Sequence, residues 1–116
     1  MSEYQIYHNP RCSKSRATLA LLQEHGVEPE VVLYLERPPS QAALKRLLAR
    51  LGISAGELVR RGEAEYKALG LSASSSEASL LKAMSAHPRL IERPVVVRGE
   101  RAVLGRPPEN VLALFD

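Results

Sequence analysis

The sequence predicts an α/β fold, a small mixed β-sheet flanked by helices with a helical insertion between its second and third strands. Three observations carry that expectation. A short alternating apolar segment, a helical segment and a Val-rich segment follow one another between Tyr4 and Leu35. A valine run near the C-terminus is separated from a second alternating segment only by Arg98-Gly99-Glu100. Between these groups lie several amphipathic patterns with their own start and stop residues.

Tyr4 to Tyr7 reads as the first strand, and Ser13 to His25 as a helix. Its apolar stripe is expected to use Ala17, Leu19, Ala20, Leu21 and Leu22, with Gly26 as its stop. Glu30 to Leu35 is the second strand, completing a β-α-β unit. Arg37-Pro38-Pro39 breaks the chain and Ser40 caps the next helix. There Leu44, Leu47, Leu48 and Leu51 recur at i, i+3, i+4 and i+7 before Gly52. Ser54 and Glu57 have capping-box spacing, and Glu63 to Leu69 reads as a further short helix. The five serines of Leu71 to Ser79 read as a helix start, with Ser74 and Glu77 as a second capping box ahead of Leu80, Leu81 and Met84. Leu90 to Val97 reads as a strand led by proline, and Arg101 to Leu104 as its antiparallel partner. Arg106-Pro107-Pro108 opens a last helix carrying Val111, Leu112, Leu114 and Phe115. The 116 residues read as one domain, with the insertion at about 40–87.

Composition narrows the function classes. With 16 basic and 13 acidic residues the net charge is +3, and the charges are dispersed rather than run together. Only four Tyr and one Phe are present, so no basic-aromatic platform for nucleic acid is expected. No stretch reaches the about 18 to 20 apolar residues that span a bilayer, and no signal peptide is recognisable. A single cysteine excludes an intramolecular disulfide and a cysteine-rich metal site, and favours a reducing, cytoplasmic setting. The three histidines, His8, His25 and His87, are too scattered to suggest a metal site.

The one thiol, Cys12, stands at the strand-to-helix corner in Tyr7-His8-Asn9-Pro10-Arg11-Cys12-Ser13-Lys14-Ser15-Arg16. There it faces the unpaired N–H groups and positive dipole end of the following helix, with Arg11, Lys14 and Arg16 nearby, so its pKa is expected to fall. Ser15 completes Cys-x-x-Ser: its hydroxyl can donate to the thiolate but cannot close a disulfide. Oxidised Cys12 must therefore be rescued by a thiol from another molecule. His8 titrates near neutrality and can assist a proton transfer or hold the loop. Arg60, Arg93 and Arg106 each stand at the edge of an element. Singly they read as solvated flanks or carboxylate partners, although Arg93 and Arg106 each precede proline, which biases their backbone to an extended form.

In order and spacing, several blocks resemble the glutaredoxin-dependent arsenate reductase family. They are the Tyr7 to Arg16 segment, Leu33 to Ser40, Gly52-Ile53-Ser54 with Leu58-Val59-Arg60-Arg61, His87-Pro88 with Ile91 to Val97, and Leu104-Gly105-Arg106-Pro107. The resemblance spans essentially the whole chain and implies a thioredoxin-like fold. It implies Cys12 as nucleophile, Arg60, Arg93 and Arg106 as ligands of the oxyanion arsenate, and a cis bond at Arg93-Pro94. Arsenate reduction would draw on glutathione as co-substrate and on glutaredoxin, with no bound cofactor or metal. His8, Ser15, Arg16 and Pro94 would support the site. Better-known members continue beyond the position of Asp116, and some carry cysteine where Gly105 stands. The phosphatase-like arsenate reductase loop, Cys-x5-Arg, is absent, since Arg16 is the first arginine after Cys12. Two other readings share the fold. One is a thiol oxidoreductase acting on another small oxidant or glutathione adduct. The other is an Spx-like regulator that binds RNA polymerase, whose Cys-x-x-Cys switch is replaced here by Cys12 and Ser15.

Overall fold

The computed structural model describes residues 3–115. They group into two compact units, one formed by the chain up to Arg37 and again from Arg93, the other by Pro38–Glu92.

The first unit holds the sheet. Strands β1 (Tyr4–Tyr7), β2 (Glu30–Val32), β3 (Val95–Arg98) and β4 (Arg101–Leu104) run in the order β2-β1-β3-β4. β1 pairs parallel with β2 and antiparallel with β3, and β3 pairs antiparallel with β4. The parallel pair needs a crossover, which helix α1 (Ser13–Glu24) provides, whereas β3 and β4 are joined by a tight turn with Gly99 at φ 60°. This is the expected thioredoxin-like arrangement. Its main core lies where Tyr4, Ile6 and Val96 meet Leu22 of α1 and Val111 and Leu114 of the C-terminal segment.

Four sequence expectations are corrected here. β2 ends at Val32 instead of Leu35, because the chain turns over residues 34–36 and buries the Tyr34 side chain. The valine strand begins only at Val95: Pro88–Leu90 is a 3-10 turn, and Ile91 makes an isolated bridge to Val59. The last helix, Pro108–Leu114, is 3-10 throughout, and its Leu112 faces solvent. Finally, α1 buries Ser15, Thr18 and Leu22, while Ala17 and Ala20 are exposed. The inward stripe keeps the i, i+3, i+7 spacing but begins with two polar residues, because that end of the helix serves the loop before it.

The second unit is helical: α2 (Gln41–Leu51), α3 (Ala55–Leu58), α4 (Ala64–Ala68) and α5 (Glu77–Ala86). Ser40 caps α2, accepting from the Ala43 N–H at 3.0 Å, and Gly52 ends it in the left-handed region at φ 69°. Leu44, Leu47 and Leu48 are buried as the periodicity requires. Glu57 returns to the Ser54 N–H at 3.2 Å, as the capping-box spacing predicts. The second capping box is different. Ser76, not Ser74, caps α5, and Glu77 instead accepts from the Ala55 N–H of α3 at 3.1 Å. A carboxylate from one helix thus satisfies an orphan donor at the start of another. Among the described residues no helix is long and apolar enough to cross a membrane.

Candidate functional site

The loop between β1 and α1 is a closed system of short hydrogen bonds. After Tyr7 the parallel pairing continues through the His8 N–H to the Val32 carbonyl at 2.9 Å. Asn9 then builds the turn: its carbonyl accepts from the Cys12 N–H and its side-chain oxygen from the Arg11 N–H, both at 3.0 Å. An Asn-Pro pair is suited to this, since the amide side chain mimics a backbone turn and proline fixes the next φ. Arg16 reaches back from α1 to donate to the Pro10 carbonyl at 2.9 Å.

Cys12 is the N-cap of α1, with extended backbone at φ −95° and ψ 123°, and it is 8% exposed. An N-cap side chain lies over the first free N–H groups of its helix. Burial pushes the thiol up and is the largest single influence on it. The Ser15 N–H, the Arg93 guanidinium through hydrogen bond and charge, and the Lys14 N–H together outweigh burial and hold Cys12 below the ordinary thiol range. The free N–H groups of the helix end act on the sulfur as the sequence argument expects, but the charge that acts on it is that of Arg93 and not those of Arg11, Lys14 or Arg16.

Ser15 stabilises the sulfur through its backbone, and its hydroxyl is engaged elsewhere. That hydroxyl lies 2.6 Å from His8 Nδ1 and accepts from the Asn9 N–H at 3.0 Å, and the side chain is fully buried. The expectation of a hydroxyl donating to the thiolate is thus replaced. Cα–Cβ bonds tilt toward a helix's N-terminus, so a side chain at the third position reaches back over the preceding loop. His8 is buried, and burial first, then the charge of Arg16, lowers its pKa and favours neutral imidazole. Of its two possible roles, its contact with Ser15 fits the holding of the loop.

Strand register assembles the other half of the site. Tyr7 pairs with Val95 and Val95 with Leu104. Beyond them the Gly105 N–H donates to the Pro94 carbonyl at 2.9 Å. Continuing both registers puts Pro94 level with His8 and Gly105, and Arg93 level with Asn9 and Arg106. Arg93 and Arg106 thus leave the sheet at the end where the Cys12 loop begins, and the guanidinium of Arg93 reaches the sulfur. The Arg93-Pro94 bond is cis, as the resemblance implies, and so is Arg106-Pro107. Arg60 lies in the second unit, directly after α3. Its N–H donates to the Leu90 carbonyl at 2.6 Å and its guanidinium faces the Glu92 carboxylate at 3.9 Å.

Two residues outside the expected set hold this corner. The Thr18 hydroxyl donates to the Lys14 carbonyl at 2.8 Å and approaches the Gly105 carbonyl at 3.3 Å. Gly105 has no room for a side chain: a Cβ there would stand 2.6 Å from Thr18 Oγ1 and 2.8 Å from Pro94 Cγ. The only trace of this in the sequence is Thr18 three residues after Ser15, a polar pair on one helix face. Chemically, a buried thiol whose pKa is lowered by backbone N–H groups and a guanidinium is a nucleophile suited to an electrophile that carries negative charge.

Against known proteins, a sequence model of the ArsC family matches residues 7–114. The chain is 58% identical to the uncharacterized protein YfgD of Escherichia coli K12, over 97% of this chain and 96% of that one. It is 47% identical to the arsenate reductase of Neisseria meningitidis serogroup A, over 99% of this chain and all of that one. The solved arsenate reductase from Vibrio cholerae superposes with a TM-score of 0.93 at 49% identity, over 97% of both chains.

Proposed function

Because the chain belongs to the ArsC family, we propose that it is an arsenate reductase, working in the cytoplasm with glutathione and glutaredoxin as reductants. The observation that carries the reading is Cys12 at the N-cap of α1 with the Arg93 guanidinium on its sulfur. Arsenate is a tetrahedral oxyanion that an unaccompanied thiolate would repel. A guanidinium beside the sulfur offsets that repulsion and offers a fork of donors to the oxygens. Arg106 is the second arginine of the cradle, and Arg60 is the third by its place in the family pattern.

The Cys12 thiolate attacks arsenic and a hydroxide leaves as water after protonation, giving a Cys12–S–As(V) adduct. Glutathione adds through its sulfur with loss of a second water. A glutaredoxin thiolate then attacks the glutathione sulfur and forms a mixed disulfide. The electron pair of the broken S–As bond passes to arsenic, which becomes As(III). Water hydrolyses the remaining Cys12–S–As bond, releasing arsenite and the free thiol. The electrons come from two thiols outside the chain, as a protein with one cysteine requires. Neither a metal nor a prosthetic group enters any step.

The test is arsenate-dependent NADPH oxidation coupled through glutathione, glutaredoxin and glutathione reductase, comparing the wild type with Cys12→Ser and Arg93→Ala. Turnover lost in Cys12→Ser and strongly reduced in Arg93→Ala is the expected result. Absence of turnover by the intact protein in a competent coupling system refutes the reading. Protection of Cys12 from alkylation by arsenate separates it from a thiol oxidoreductase with another substrate, in which arsenate gives no protection.

A further inference from the structure

Beside the Cys12 loop the first unit carries a groove of about 280 Å³, a volume at the small end of ligand sites. One wall is Asn9, Pro10 and Arg11, the segment that runs directly into Cys12. The other is Leu33, Leu35 and Glu36, from the turn that follows β2. Leu33 and Glu36 also line a second recess, of about 450 Å³, with Glu30, Val31, Val32 and Arg37. In the smaller groove, the cleft beside Cys12, Pro10, Leu33 and Leu35 supply apolar surface, Leu35 is 38% exposed, and Arg11 and Glu36 are exposed charges of opposite sign on its two walls.

We propose that this cleft binds the external thiol that reacts at Cys12: a small peptide thiol of the glutathione class, with carboxylates and one ammonium. The proposal rests on the reading of Cys12 as a nucleophile that needs an outside reductant. Three features identify the occupant. A chain with a single cysteine has no resolving thiol of its own, so the donor must find a seat next to Cys12. The cleft borders the three residues before Cys12, so a ligand in it lies alongside the loop that ends in the sulfur. Its opposite charges match a zwitterion: Arg11 suits a carboxylate and Glu36 an ammonium, while Pro10, Leu33 and Leu35 cover the methylene and amide parts. An oxyanion such as arsenate has nothing for Glu36 to attract, which separates this cleft from the arginines of the cradle.

The test uses S-methylglutathione, whose blocked sulfur allows binding without reaction, titrated into the isotope-labelled protein. Amide shifts confined to Asn9, Arg11 and the 33–36 turn are expected. In the coupled assay, Glu36→Lys raises the KM for glutathione by about threefold or more, the scale of an exposed pair turned from attractive to repulsive. Arg11→Ala raises it by about twofold. Arsenate still protects Cys12 from alkylation in both variants as it does in the wild type. Shifts that fall elsewhere, or a glutathione KM unchanged in both variants, overturn the cleft while arsenate protection leaves the reductase reading standing. If arsenate fails to protect the wild type, that reading fails instead, and S-methylglutathione binding still decides the cleft.

Discussion

Replacing Gly105 with alanine tests the close packing that joins β4 to the Cys12 corner. The added Cβ meets Thr18 Oγ1 at 2.6 Å, Pro94 Cγ at 2.8 Å and Thr18 Cγ2 at 2.9 Å, all well inside van der Waals contact. Neither neighbour yields easily. The γ atoms of threonine turn on a stiff χ1, and Pro94 is a ring held by the Gly105 N–H on its carbonyl. Overpacking of this kind costs about 1–3 kcal/mol. Rotating Thr18 away also gives up the hydrogen bond of its single hydroxyl proton, which points to the Lys14 carbonyl with the Gly105 carbonyl close by, at about 1 kcal/mol. The expected loss is therefore about 2–4 kcal/mol, a fall in Tm on the order of 10 °C for a domain of this size. Urea unfolding of the wild type, Gly105→Ala, Thr18→Ala and the double variant measures it. Thr18→Ala removes two of the three close contacts, so the double variant loses less than the sum of the singles, by about 1 kcal/mol or more. A Gly105→Ala protein within about 0.5 kcal/mol of the wild type, or strict additivity in the cycle, would falsify the packing argument.

Other expected outcomes follow from the same contacts. Arg93→Ala removes a hydrogen bond and a positive charge from the Cys12 thiolate, so the midpoint of iodoacetamide alkylation against pH moves up and the rate at pH 7 falls several-fold. An unchanged midpoint contradicts that role for Arg93. The lowered pKa of His8 means that the unfolded chain binds the proton more readily than the fold does. The contribution of His8 is complete above its unfolded pKa, near 6.5, and is lost as pH falls through the lower folded value. Urea melts between pH 7.5 and 5 should show this loss, and a His8→Gln protein should show less of it. Glu77→Gln weakens the charge-assisted acceptor on the Ala55 N–H and costs about 0.5–2 kcal/mol, read as faster hydrogen exchange at Ala55 while the Ser76 cap of α5 persists.

Much of the architecture was legible because local signals and tertiary context agree. The Leu44, Leu47, Leu48 stripe between Ser40 and Gly52 produces the helix it describes, with Ser40 as cap and Gly52 in the left-handed region. The turn at Gly99 joins the two strands on either side of it. Where the reading slipped, a competing contact decided. Ser74 and Ser76 both lie upstream of Glu77 with cap chemistry, and spacing alone favoured the first. Glu77 is drawn instead to the Ala55 N–H, which is distant in sequence, and the helix starts after Ser76. Leu33 to Leu35 have strand-like composition, but pairing with β1 stops at Val32, and Tyr34 finds burial in a turn.

From the sequence alone came the lone thiol at a helix start, its need for an outside reductant, and the family pattern that singles out Arg60, Arg93 and Arg106. These are properties of residue type and order, which survive without coordinates. Only the tertiary structure decided which groups act on the sulfur. Strand register carries Arg93 across about 80 residues of chain to the Cys12 loop. Helix geometry turns the Ser15 hydroxyl toward His8 and leaves its N–H for the thiolate. The absence of a Cβ at Gly105 lets β4 close against Thr18 and Pro94. A thiolate is stabilised by donors within a few ångströms whatever their distance along the chain, and that nearness is set by pairing and packing.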